Sequence, residues 1–256
     1  MNIWRHTAGR QRLYRPSVTS AARMPDCAEC PVRDHSLCVG LKPNELPRIS
    51  ALTTVCQAEA GEVLFFEGDP ARHFFTIRKG VVRLIRAFPD GRRSIVGFLH
   101  DGDFLGGRFG NSSYVVTAEA VTSIEYCRIL LSDLQKLAAD LPGLERQLLT
   151  MSAERMDAAE DHIVLLGRKT AIEKVAAFLL ASQEWGNRKP AGEFDLPMSR
   201  VDIADYLGLT IETVSRIMTR LVDSGLISIS DARHITINDQ MELKATAHPE
   251  GFSIEE

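Results

Sequence analysis

No stretch of about 18 apolar residues occurs in the 256-residue chain, so no transmembrane helix is predicted. Neither sign of charge dominates: the net charge is −4, which gives no overall bias toward nucleic acid or an anionic membrane. Gly-x-Ser-x-Gly and Walker loops are absent, and no paired carboxylates mark a plausible cleft, so nothing recommends an enzyme. Cysteine is sparse and odd in number, five in all, which disfavours a disulfide scaffold and points to a reducing cytoplasm. Three of the five nevertheless crowd into "CAECPVRDHSLC", residues 27–38.

The first 26 residues also stand apart. They carry five arginines and one acid, Asp26, without the apolar centre of a signal peptide. A disordered basic arm is expected, with an organellar transit peptide as the other reading. Residues 27–48 form the cysteine-rich segment. From 49 to 137, short β-rich runs alternate with glycine corners at Gly61, Gly68, Gly80, Gly102 and Gly106. Asp90-Gly91 between Leu84-Ile85 and Ile95-Val96 predicts a hairpin. Turns about every ten residues suggest an antiparallel sandwich or barrel.

The period then changes. Over 138–170, Leu149, Ser152, Met156, Ala159, Ile163 and Leu166 recur in steps of 3 and 4, a narrow seam of small and apolar residues. Such a stripe suits two helices packing along each other, that is, a homodimer. The alternative is one helix lying on its own domain's core. Glu154, Asp157, Glu160 and Asp161 occupy the outer face.

Residues 171–240 end in a helix, a tight turn, a second helix and two short strands. In "MSRVDIADYLGLTIETVSRIMTRLVDSG", Ser199 caps the first helix and Asp202 completes a capping-box-like pair. Val201, Ile203, Ala204 and Leu207 are its expected buried face. Gly208 supplies the turn and Thr210 caps the second helix. There Val214, Ile217, Met218 and Leu221 face inward, while Glu212, Ser215 and Arg216 share the opposite face. Arg216 suits a guanine edge and Glu212 can accept from cytosine N4. A simple surface ion pair between Glu212 and Arg216 is the plainer reading of that spacing. The whole unit, with its caps and trailing wing "LISISDARHITI", reads as a winged helix-turn-helix for double-stranded DNA. Seven Lys/Arg against ten Asp/Glu in this region leave phosphate contacts few and local. Residues 241–256 look like a frayed tail.

The two-residue gap between Cys27 and Cys30 lets both thiolates reach one metal centre, and Cys38 adds a third. A fourth must come from Cys56 or Cys127, which residue chemistry alone barely separates. Alternatively, Cys27, Cys30, His35 and Cys38 form a local Cys3His zinc set, or the thiols are inert.

The helix-turn-helix stretch, the glycine-cornered β region and the connecting helix resemble the CRP/FNR superfamily of bacterial regulators, most closely its FNR/FnrN-like oxygen-sensing branch. The resemblance spans roughly residues 27–240. It implies an α+β chain: an N-terminal antiparallel β-roll (a cupin-like jelly roll), a long dimerisation helix and a C-terminal winged helix-turn-helix. It implies a [4Fe-4S] cluster on Cys27, Cys30, Cys38 and Cys127, with Cys56 a core thiol. Glu212, Ser215 and Arg216 match the pattern that reads TTGAT-type half-sites, and contact with RNA polymerase is implied by the family. Cyclic-nucleotide-binding relatives carry an Arg-Ser or Arg-Thr pair. In "DFLGGRFGNSSYVVTAEA" Arg108 comes early and no Arg precedes Ser112 or Ser113, so no cyclic nucleotide is expected. Haem with His73 or His100 as axial ligand is the other cofactor considered.

Overall fold

Strand alternation and glycine corners organise the N-terminal half as expected. In the computed structural model, residues 26–107, 112–185, 192–231 and 233–249 are described. The basic arm up to residue 25, Arg108 and the end of the tail lie outside them. The chain divides into two units, Met1–Leu148 and Leu149–Glu256.

In the first unit, two four-stranded antiparallel sheets form the β-roll. One has the order β1 (Thr53–Ala58), β8 (Ile124–Leu130), β3 (His73–Lys79), β6 (Phe104–Gly106). The other runs β2 (Val63–Phe65), β7 (Thr117–Ala120), β4 (Val82–Ala87), β5 (Arg93–Leu99). Phe65, Phe75, Ile77, Val82, Leu84, Leu99, Leu105 and Tyr126 fill the space between them. The β4–β5 hairpin turns at Gly91, whose φ of 87° a side chain would resist. Helices α1 (Leu46–Ser50) and α2 (Leu131–Asp140) flank the roll.

The predicted 138–170 helix is interrupted. Helix α2 ends at Asp140, and Pro142 opens α3 (Pro142–Arg168), because proline tolerates a first turn but not a helix interior. Helix α3 crosses the division between the units.

In the second unit, α4 (Ala171–Trp185) buries Val175, Phe178 and Leu179. Helices α5 (Arg200–Leu207) and α6 (Ile211–Asp223) form the helix-turn-helix, with Gly208 left-handed at φ 63° between them. The wing holds one strand more than expected. β9 (Glu193–Asp195) pairs with β11 (His234–Ile237), which pairs with β10 (Ile227–Ile229). The frayed-tail reading of 241–256 is corrected for its described part. Asp239 caps α7 (Gln240–Ala247), accepting from the Glu242 N–H at 2.9 Å. That helix packs on α4 and buries Leu243 and Ala247. Only two apolar contacts anchor it, too few for a clear helical period in the sequence.

Candidate functional site

Two sets of residues carry chemistry, one in each unit. In the second, the caps form as expected. The Ser199 hydroxyl accepts from the Asp202 N–H at 3.1 Å, and the Asp202 carboxylate accepts from the Ser199 N–H at 3.1 Å and hydroxyl at 2.7 Å. The inward face of α5 differs by one residue: Val201 is exposed, and Asp202, folded back on its cap, is buried with Ile203, Ala204 and Leu207. The cap outranks hydrophobic pattern because a charge can be buried where hydrogen bonds satisfy it.

On α6, Thr210 accepts from the Thr213 N–H at 3.2 Å. Val214, Met218 and Leu221 are buried and Ile217 is half-buried. Glu212, Ser215 and Arg216 all face solvent. Arg216 donates to the Thr213 hydroxyl at 3.4 Å, and among the described residues no ion pair joins it to Glu212. Backbone donation at the helix N-terminus, then the Thr210 hydroxyl, hold the Glu212 carboxyl below the usual carboxylate range, and Arg216 adds a smaller pull. The face is therefore anionic at Glu212, cationic at Arg216, and able to meet base edges.

The seam on α3 is open to solvent. Leu149 is 67%, Met156 64% and Ile163 69% exposed, with Ser152 and Ala159 exposed between them. Leu166 is only partly available, since its Cδ2 borders the Gly208 turn.

In the first unit, residues 27–50 fold as two 3-10 turns, Arg33–His35 and Leu37–Gly40, followed by α1. Val32, Leu37, Leu41, Leu46 and Ile49 bury against the roll and anchor this segment. Asp26 accepts from the Ala28 N–H at 3.0 Å, and Ser36 from the Cys38 N–H at 3.3 Å. Register separates the two candidate fourth cysteines. β1 pairs Val55 with Cys127 and Cys56 with Tyr126. Cys56 and Tyr126 point into the core, so Cys127 points to the outer face. There it lies within electrostatic reach of Cys27, Cys30 and Cys38. Burial, and then the neighbouring thiolates, push the Cys38 thiol up to about 12. Burial pushes Cys127 to the same value, although Arg78 opposes it. Burial likewise raises Cys27.

Four neighbouring thiols that resist ionisation alone are a donor set that a cationic centre would satisfy. Among the described residues, no three His, Cys, Asp or Glu side chains converge tightly enough for a single metal ion. His35 does not join the cysteines: it is exposed, with its ring packed on Gly102, where an added Cβ would lie 2.5 Å from Cδ2. The wider set of four sulfurs fits a cluster better than a lone zinc. His73 lies at the start of β3, with its backbone N–H donating to the Tyr114 hydroxyl at 3.1 Å. His100 follows β5, and burial holds its imidazole down to about 4.

The sequence reading missed Arg78, a buried cation beside these thiols, and the close approach of Gly40 to Gly143. An arginine between apolar neighbours in "FFTIRKG" was the signal for the first. The second had none, because two isolated glycines announce no pairing.

Comparison with known proteins agrees with this architecture. The Crp-like helix-turn-helix domain family matches residues 173–246, and the cyclic nucleotide-binding domain family matches residues 55–140. The chain is 41% identical to the nitrogen fixation regulation protein FixK of Bradyrhizobium diazoefficiens, over 79% of this chain and 86% of that one. It is 32% identical to the transcriptional activator FnrL of Cereibacter sphaeroides, over 83% and 88%. It is also 32% identical to the transcriptional activator anr of Pseudomonas aeruginosa, over 86% and 92%. The solved structure of FixK2 from Bradyrhizobium japonicum superposes with a TM-score of 0.71 at 38% identity, covering 76% of this chain and 96% of that one. These relatives are regulators of transcription rather than enzymes, and this chain belongs with them to the CRP/FNR family of transcriptional regulators.

Proposed function

We propose that the chain is an oxygen-responsive transcriptional regulator that acts as a homodimer and holds a [4Fe-4S] cluster on Cys27, Cys30, Cys38 and Cys127. The observation that carries this reading is the meeting of three cysteines from one short segment with a fourth from β8, on the outer face of the sheet. Bound there, the cluster would supply an oxygen-labile inorganic crosslink between the N-terminal segment and the roll.

The residues do the rest. Leu149, Ser152, Met156, Ala159 and Ile163 offer an uncovered apolar stripe for the partner's equal stripe. Asp157, Glu160 and Asp161 beside it add like charge across a two-fold, so pairing stays adjustable. In the pair, two copies of α6 would enter successive major grooves, about 34–36 Å apart. Glu212, Ser215 and Arg216 then read TTGAT-N4-ATCAA, an FNR-box site, with Ser199 and Thr210 at the helix N-termini that face phosphate. RNA polymerase contact, control of anaerobic or microaerobic genes and independence from cyclic nucleotide follow the same family pattern. No described helix is long and apolar enough to cross a membrane, and a cytoplasmic location accords with the reduced thiols.

Iron and acid-labile sulfide analysis of protein purified without air tests the reading. A brown protein with about four of each per chain is expected. Colourless protein carrying zinc, or operator affinity unchanged by air, refutes oxygen sensing and leaves a DNA-binding regulator.

A further inference from the structure

Arg78 occupies an unusual position. The β3–β8 register pairs Thr76 with Cys127 and Ile77 with Tyr126, then slips between Ile77 and Lys79. Such an irregularity re-aims the side chain it carries. Arg78 is only 7% exposed. Its Nη1 lies 3.2 Å from a carboxylate oxygen of Glu125, which is itself 31% exposed. That ion contact is not aligned as a hydrogen bond, and among the described residues both Nε and Nη1 are buried without a hydrogen-bond partner. A guanidinium is always charged, so it cannot relieve its burial by losing a proton. An arginine buried with idle donors needs an anion nearby.

The neighbouring anions are the site's own thiolates. Arg78 is the strongest opposing charge at Cys127 and also acts on Cys27. Thr76, Arg78 and Cys127 share the outer face of the sheet by alternation and register. Resting on the cluster reading above, we propose that Arg78 is the counter-charge of the cysteine site, its free N–H groups directed at the negatively charged metal–thiolate group that Cys27, Cys30, Cys38 and Cys127 hold. Glu125 is its tether and partly offsets its charge. Hydrogen bonds to sulfur and net charge are among the protein's means of setting a cluster's potential and retention.

The test uses full-length protein loaded without air, with Arg78→Met, Arg78→Lys and Glu125→Gln variants. Cluster midpoint potential is measured by anaerobic redox titration, and retention by iron loss to a chelator. Arg78→Met should lower the potential, because the reduced, more negative cluster loses its cation. It should also weaken iron retention about 10–100-fold, the usual effect of losing a group that supports metal ligands. Arg78→Lys should fall between it and the wild type. Glu125→Gln should move the potential upward, since Arg78 is then less neutralised. If Arg78→Met does not fold or load, the direction of the Glu125→Gln shift decides. Potentials that stay at the wild-type value, or that move the same way in both variants, overturn the role of Arg78. Wild-type protein without iron and sulfide instead overturns the cluster reading on which it rests.

Discussion

Gly143→Ala is the sharpest mechanical test of how the cysteine segment is held. Gly143 lies in the first turn of α3 and Gly40 ends the 3-10 turn that carries Cys38. A Cβ built on either glycine would overlap the carbonyl oxygen of the other, and one on Gly40 would also come within 2.9 Å of the Gln147 Cβ. The obstacle is backbone on backbone, with no flexible side-chain end to yield. Overpacking of this kind costs about 1–3 kcal/mol. Against it stands the helix propensity of alanine over glycine, at most about 1 kcal/mol in a helix interior. The clash wins, and the turn should separate from α3. A net loss of about 1–2 kcal/mol corresponds to about 5–30-fold more local opening. Hydrogen exchange at the Val39 and Leu41 amides, which donate to Ser36 and Cys38, reads that opening directly. Gly167→Ala, near the end of the same helix and with nothing within 4 Å of its added Cβ, is the control. It should stabilise the protein slightly. Unchanged exchange in Gly143→Ala, or a higher Tm, would refute the argument.

Four further outcomes are expected. Ser199→Ala removes the cap and the partner of a buried carboxylate, so denaturant unfolding should show a loss of about 1–2 kcal/mol. Arg216→Ala should cut discrimination between intact and guanine-substituted half-sites by about 1–3 kcal/mol in fluorescence anisotropy, while binding to unrelated DNA changes little. Ile163→Glu, at a position 69% exposed in the single chain, should leave circular dichroism intact and shift sedimentation toward monomer; an unchanged dimer would remove the seam from the account. His100 has its folded pKa lowered from 6.5 to about 4 by burial, so the unfolded chain binds the extra proton between those values. Stability should therefore fall as the pH drops from 6.5 toward 4, and His100→Gln should flatten that part of the profile.

Much of the architecture was legible because it is local. Gly91 and Gly208 adopt the positive φ that their turns demand. Ser199 and Thr210 cap the helices they precede, since a side chain three residues away suffices. Legibility failed where distant chain intervenes. Asp202 displaced Val201 from the buried face through its cap. β9 and α7 form because β11 and α4 offer partners, not because their own patterns are strong.

The cysteines mark the division between the two kinds of information. Residue identity and spacing alone determined that Cys27, Cys30 and Cys38 lie close together, as a few residues of chain cannot separate them. Whether Cys56 or Cys127 joins them was decided only by the sheet. Side chains alternate with period two, so the pairing of Val55 with Cys127 turns one thiol inward and the other out. A slip of one residue would exchange their faces, and only tertiary packing on both sides of the sheet selects the register.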